Sequence, residues 1–480
     1  MITKINSLRI PLRISDHMLR FLLCLSLLPM LASCRKEQTV APVEDPIPEV
    51  LSAEVHDNPN NVVSAMVLIR TKNAQYASVE VLDTTFSEST IPYFQIVSDS
   101  VVVPVLGLLA ERTYTLRPTA VSSGGKKSYG STLVYTTGAL PNYIPPFRIA
   151  FSSSPSIRYV LLGLNPARQG ISYAIIVNKD GLPVWYKQLM GSVFDFQKHA
   201  DGSYTAWPSP GPEPAFQGFD FLGNPTELYS ASNGLETGLH ELRMIGPDYA
   251  LFGVEYRIMD LTALGGLPNA RVRGLVVEYH RAGQAPFFWH TFDHFSVTDA
   301  APDVPLTGTD VNPWHGNAID MDYEGNLLVS FRNSDEVTKI DSRTGAIIWR
   351  LGGRNSEFTF INDPFGGFSH QHGLRRLPNG NVLFFDNGIL HNPPESRAVE
   401  YRLNESARTA ELVWEYRAEP PLLATLQGFA QRLENGNTLV CFGNARTVVE
   451  ADPNGMKLWE LVIEEPGRSA YRAFAVNTLY

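Results

Sequence analysis

The feature that most constrains this chain is an internal repeat. Residues 316–351, GNAIDMDYEGNLLVSFRNSDEVTKIDSRTGAIIWRL, and 428–461, GFAQRLENGNTLVCFGNARTVVEADPNGMKLWEL, follow one plan. A short alternating stretch meets a Gly-Asn turn and an apolar run follows. A third stretch ends in Ile-Asp or Glu-Ala-Asp, and a Gly turn leads into a fourth that carries Trp. Residues 372–416 repeat the plan with a longer third connection, and weaker copies cover 158–189, 194–230 and 240–292. A four-stranded unit of this kind buries its faces only against copies of itself, and the radial solution is a β-propeller. Six such units predict a six-bladed propeller over 141–480. A row of independent sandwiches is the alternative, but the shared strand order, with Trp349, Trp414 and Trp459 in fourth strands, favours blades.

The remainder of the chain divides at its composition changes. Arg9, Arg13 and Arg20 precede the apolar run FLLCLSLLPMLAS, which is too short for a bilayer span and reads as a signal peptide over 1–33. Leu31-Ala32-Ser33-Cys34 resembles a bacterial lipobox, with Cys34 as the lipidated residue, and either Met1 or Met18 serves as the start. A plain secretory leader is the alternative. Residues 34–49 are polar and proline-bearing, as a linker from a membrane would be. Residues 50–140 read as short alternating strands of an immunoglobulin or fibronectin III-like β-sandwich, with LAERTYTLRPTAVSSGG as its later strands. The expected fold class is therefore all-β, a sandwich followed by a propeller. Cys24 leaves with the leader and Cys34 takes lipid, so Cys441 alone stays free and stability rests on packing. A net charge of −10 leaves no basic stripe for phosphates, which excludes a nucleic-acid partner. Localisation follows as the bacterial cell envelope, lipid-anchored, on the periplasmic or surface face of the outer membrane, with membrane contact through the lipid only.

In a propeller the first strand of each blade lines the central channel. Aligning the repeats on their turns puts His240, His315 and His372 at or just before the first strands of consecutive blades, where the sixth unit has Gln427-Gly428. Period-two alternation predicts that His370 faces the same side as His372, and Asn317 the same side as His315. Arg332 follows the second strand of its unit, and Asp386-Asn387 follows the matching strand. Imidazoles gathered at one mouth suit a metal, but a neighbouring guanidinium disfavours a dication and suits a tetrahedral oxyanion. Asp310 and Glu241 are the only carboxylates near enough in sequence to join as ligands, and neither has a fixed spacing. No metal and no cofactor are expected.

The blocks WHGNAIDMDYEGNLLVSFRNSDEVTKIDSRTGAIIWRLGG, QHGLRRLPNGNVLFFDNG and RLENGNTLVCFGNARTVVEADPNGMKLWE resemble the bacterial arylsulfotransferase family, whose members need no phosphoadenosyl donor. The resemblance covers roughly 145–480, and its six-bladed propeller with an N-terminal sandwich agrees with the fold above. It implies a ping-pong transfer from a phenolic sulfate donor to a phenolic acceptor through a sulfohistidine. On the Gln371-His372 match His372 is the nucleophile, with His370 as the second imidazole to be weighed against it. His315, Asn317 and Arg332 match the groups that bind and stabilise the sulfuryl oxygens, and His240 matches the histidine that handles the phenolic proton. His370 and Asn387 join Asn317 as substrate-binding candidates, and a homodimer is a further expectation. Two other readings remain open at this point: a non-catalytic surface propeller that binds a ligand or partner at its mouth, and a metal-dependent hydrolase built on the histidines.

Overall fold

The computed structural model describes residues 45–480 apart from 84–85, 87–90, 167–169, 209–213, 283 and 285. The leader and Cys34 lie outside the described residues. Eight mainly antiparallel sheets make up the fold, and its few helical turns are of the 3-10 type.

The two N-terminal sheets share one core. Glu49–Asp57, Ala65–Lys72 and Ser100–Val105 form the first. Phe94–Gln95, Tyr76–Val81, Thr113–Val121, Lys127–Tyr129 and Leu133–Thr136 form the second. Alternation explains the packing: along Ala65–Lys72, Ala65, Val67, Ile69 and Thr71 are buried while the residues between them are at most partly so. Val67, Ile69 and Val103 from the first sheet meet Val79, Tyr114 and Leu116 from the second. The Tyr114 hydroxyl accepts from the Leu109 amide at 2.8 Å, folding the chain back on itself as the strand begins.

The other six sheets each carry four or five strands. Their first strands are Phe194–Lys198, Glu236–Ile245, Gly316–Met321, His372–Arg376, Phe429–Arg432 and Ala470–Val476. Each of these touches the next, and Ala470–Val476 touches Phe194–Lys198, so the six close a ring. Three of the fourth-strand tryptophans bond forward to the next sheet, whereas Trp349 and Trp414 pack with their Nε1 unpartnered. Trp185 Nε1 donates to Phe221 O at 2.8 Å, Trp289 Nε1 to Gly345 O at 3.0 Å and Trp459 Nε1 to Lys179 O at 2.7 Å. In each case the ring is fully buried and its one polar atom is satisfied by a turn of the following sheet.

Ring closure departs from the expected units. The sheet expected to be built wholly from residues 158–189 supplies only three strands there, Tyr159–Leu164, Ile171–Asn178 and Pro183–Met190. Its innermost strand is Ala470–Val476, from the far end of the chain, antiparallel to Tyr159–Leu164. Phe147–Ser152 in turn pairs with Lys457–Ile463 at the outer edge of the last sheet. The two ends of the ring are thus locked by ladder hydrogen bonds, which leave no open edge at the seam. Asn61 Nδ2 donates to Tyr186 O at 3.2 Å, and the Tyr480 hydroxyl accepts from the Leu106 amide at 3.0 Å. Through these contacts the N-terminal sheets sit against both sides of that seam.

Candidate active site

Glu236–Ile245, Gly316–Met321 and His372–Arg376 break their registers near their leading ends, at the candidate positions. Asn317 is an extra residue between Gly316↔Phe331 and Ala318↔Ser330. Residues 238–241 all oppose Phe252, because Thr237 pairs with Gly253 and Leu242 with Leu251. After His372↔Phe385 the ladder resumes only at Arg375↔Leu383, and Gly373 between them has φ of 70°. Such bulges re-aim side chains, and a left-handed position of this kind suits glycine. His240 therefore lies inside its strand on a wide bulge, not at or just before its start as the alignment of turns predicts.

His372 is 3% exposed, and its Nδ1 lies 2.7 Å from Asn387 Oδ1 and 3.1 Å from His370 O. Asn387 is fully buried, and its amide nitrogen donates to Ala424 O at 2.6 Å and Gln427 O at 2.9 Å. With both N–H groups spent on carbonyls, Asn387 can only accept from His372. Nδ1 then carries the proton and Nε2 the lone pair. Gly388 makes room for this amide: its φ is 62°, and a Cβ there would run into the Glu395 carbonyl. Gln371 pins the segment from behind, donating to Ser330 Oγ at 3.0 Å and Glu336 O at 3.0 Å.

His240 and His315 meet ring to ring, with centroids 4.6 Å apart at 73°. Burial holds all three imidazoles neutral. His372 and His240 are pushed well below 6.5, by burial first and by neighbouring cations as well. His315 falls to about 3, through burial and then Arg332 and Arg273. Arg332, in the short turn after Leu327–Phe331, donates to Asn333 Oδ1 at 2.7 Å and Thr425 O at 3.2 Å. Its buried Nε has no partner, and among the described residues it forms no salt bridge. Burial lowers its pKa against the pull of Asp303 and Asp335.

His370 does not share a face with His372. Its backbone is left-handed, with φ of 55°, so strand alternation does not apply to it. Its Nε2 lies 3.3 Å from Asp303 Oδ2, its Nδ1 3.2 Å from Asp335 Oδ1, and its amide donates to Asp335 at 2.6 Å. Asn317 also escapes the alternation, because His315 has φ of 51° and Asn317 is itself the bulged residue. It is fully buried, its Nδ2 donates to Gln371 O at 2.7 Å, and its Oδ1 is left unpartnered.

A step further along the same strands lies a charge network the repeats do not announce. Arg375 binds Glu241 with two hydrogen bonds, at 2.9 and 3.1 Å. Arg472 reaches Glu241 at 2.9 Å, Asp195 at 2.5 Å and Asn317 O at 2.7 Å. Burial alone would raise Glu241, but the two guanidiniums outweigh it and hold the carboxyl ionised. Glu241 is thus the ion-pair partner of Arg375, not a metal ligand, and Asp310 is an exposed partner of Arg271. Tyr471, beside Arg472, donates its hydroxyl to His240 O at 3.0 Å. Tyr471 and Arg472 escaped sequence reasoning because they come from the ring-closing strand; the alternation in AYRAFAV is their only signal. Arg273, whose charge depresses His240 and His315, likewise carries no motif. Among the described residues no group of three His, Cys, Asp or Glu side chains is placed to hold a metal ion.

The family model described as Arylsulfotransferase (ASST) matches residues 153–469, well over half of the chain. No match to a curated protein was found. Among solved structures, a Bacteroides caccae protein of unknown function is similar at 15% identity and a TM-score of 0.39, over 67% of this chain and all of that one. A catalytically inactive virginiamycin B lyase from Staphylococcus aureus, solved with quinupristin, is 12% identical with a TM-score of 0.32, over 64% of this chain and 76% of that one. Apo AztD from Citrobacter koseri is 11% identical with a TM-score of 0.26, over 88% and 97%. The family match covers every histidine, arginine and asparagine just placed around the leading ends of the first strands except those of the ring-closing strand, and on it the chain belongs to the arylsulfotransferase family.

Proposed function

We propose that this chain transfers a sulfuryl group from a phenolic sulfate to a phenolic acceptor by a ping-pong mechanism through a sulfohistidine at His372. One observation carries the reading: Asn387 spends its N–H groups elsewhere and so leaves a lone pair on Nε2 of a neutral His372, near a guanidinium that no carboxylate hydrogen-bonds. In the first half-reaction Nε2 attacks sulfur and the S–O bond to the aryl group breaks. The electron pair leaves on the phenolate, which takes its proton from water. The Nδ1–H bond to Asn387 persists and spreads the positive charge of the sulfurylated ring. Arg332 and His315 face the charge on the sulfuryl oxygens. In the second half-reaction the acceptor phenol gives its proton to His240, its oxygen attacks sulfur, and the S–N pair returns to Nε2. A neutral His240 has a lone pair for that proton and no spare proton for the leaving phenolate, so the base role is the one assigned to it.

The scaffold belongs to the same reading. The closed ring of six first strands supports a six-bladed propeller as the catalytic domain, 141–480. The shared core and the Tyr114 hydroxyl bond support an immunoglobulin or fibronectin III-like domain over 50–140. The leader and Cys34 support a lipid-anchored protein of the bacterial envelope. The test is incubation with phenyl sulfate and no acceptor, then mapping of the adduct by mass spectrometry. A gain of one SO3 on the His372 peptide is expected, discharged when a phenol is added. An adduct on His370, or unchanged turnover in His372→Ala, overturns the assignment.

A further inference from the structure

We infer that Asn312 is a positioning residue that locks His315 as its Nε2–H tautomer, the opposite of His372, so that one ring offers an N–H where the other offers a lone pair. The benefit to catalysis rests on the sulfuryl-transfer reading; the tautomer itself is a property of the free protein.

The argument is one of hydrogen-bond accounting. The His315 backbone amide donates to Asn312 Oδ1 at 3.2 Å. A backbone amide only donates, so the Asn312 oxygen must lie on that side and its nitrogen on the other. That nitrogen sits 2.9 Å from His315 Nδ1. An amide nitrogen cannot accept, so Nδ1 must hold a lone pair, and in a neutral ring the proton is then on Nε2. His372 reaches the reverse state by the reverse logic, since the atom facing its Nδ1 is an amide oxygen.

Asn312 is itself held. Its carbonyl accepts from Asn333 Nδ2 at 2.7 Å, and Asn333 Oδ1 accepts from Arg332 at 2.7 Å. Trp314, almost fully buried, ties the same loop to Ser296 O at 3.1 Å. The chain Arg332–Asn333–Asn312–His315 therefore couples the two groups that face the sulfuryl oxygens. Two lone pairs would repel those oxygens, and two N–H groups would leave no nucleophile. One of each is what the transfer requires, and two asparagines with opposite ends forward supply it.

Nitrogen-15 NMR of the histidine-labelled protein tests the lock without substrate, with His315→Gln used to assign the signal. His315 is expected to show a protonated Nε2 and a bare Nδ1, and His372 the reverse; a protonated Nδ1 on His315 overturns the proposal. Asn312→Asp replaces the donor with an acceptor of the same shape. It is expected to move the proton of His315 to Nδ1 and to lower kcat about 100-fold, with donor KM changed less than about threefold. Turnover that survives the shifted proton, or a ring protonated on both nitrogens at full turnover, overturns the catalytic role. If the expected tautomers are found and no aryl sulfate is turned over, the lock stands and the sulfuryl-transfer reading fails.

Discussion

The leading ends of the first strands and the layer just beneath them both gather arginines, yet they treat the charge in opposite ways. Beneath, Arg375 and Arg472 meet Glu241 and Asp195 in direct ion pairs, with Arg472 Nε the one buried guanidinium nitrogen of the two left without a partner. Above, Arg332 has amide and carbonyl acceptors only, with its Nε left over, and it sits among imidazoles that burial keeps neutral. A buried cation balanced by carboxylates is a structural element. A half-buried cation that no carboxylate hydrogen-bonds, with Asp303 and Asp335 acting on it only through space, is open to a further anion. The difference separates the part of the ring that holds the strands together from the part to which we assign the chemistry, although the two are neighbours in sequence at His240-Glu241.

The largest expected effect breaks the lower layer. Glu241→Ala strips both guanidiniums of their shared partner, and removing one member of a buried ionic network costs about 3–5 kcal/mol. Denaturant unfolding is expected to show that loss, while protein that remains folded still takes up sulfuryl on His372. A variant of parental stability would mean the network is not the strut described here. The upper layer should respond the other way. Arg332→Gln is expected to lower turnover about 100- to 1,000-fold, as loss of an oxyanion donor does. Its unfolding midpoint should fall less than that of Glu241→Ala, since Arg332 hydrogen-bonds no carboxylate and its removal leaves no buried ion stranded. Matching losses of stability and activity would erase the contrast.

The effect that is smallest per residue and per pH unit is graded by pH. His315 is held at about 3, and His240 and His372 well below 6.5, whereas an unfolded histidine titrates near 6.5. A depressed pKa in the folded state means stability that is full above about pH 6.5 and is lost as the pH falls toward the folded values. In that window the unfolded chain takes up protons the folded one refuses. Each such histidine is expected to cost up to about 1.4 kcal/mol per pH unit, read from unfolding midpoints between about pH 7 and 5. Over the same range the rate of adduct formation should stay flat, because His372 remains neutral. A rate that falls with a midpoint near 6.5 would show that its surroundings do not hold it neutral.

Much of this was legible before any coordinates. The repeat gave most of the sheets and the burial of the Trp residues, and it brought His240, His315, His372 and Arg332 into one neighbourhood. What failed were the two inferences that counted by twos at the leading ends of the first strands. His370 was expected beside His372 and instead faces Asp303 and Asp335, and Asn317 was expected beside His315 and instead bonds the Gln371 carbonyl. The reason is local: the first strands bulge or turn left-handed at those residues, and period-two reasoning holds only in a regular ladder.

The sequence by itself determined an all-β chain of repeated sheets and named several of the residues at their leading ends, because a repeat with an apolar period can bury its faces in few ways. Tertiary structure alone decided which strand closes the ring, and so brought Tyr471 and Arg472 beside residues more than a hundred positions away. It also decided which nitrogen of each imidazole is bare. That choice depends on a single amide, Asn387 or Asn312, presenting its oxygen or its nitrogen, and such an orientation is set by the carbonyls and amides that surround it in space.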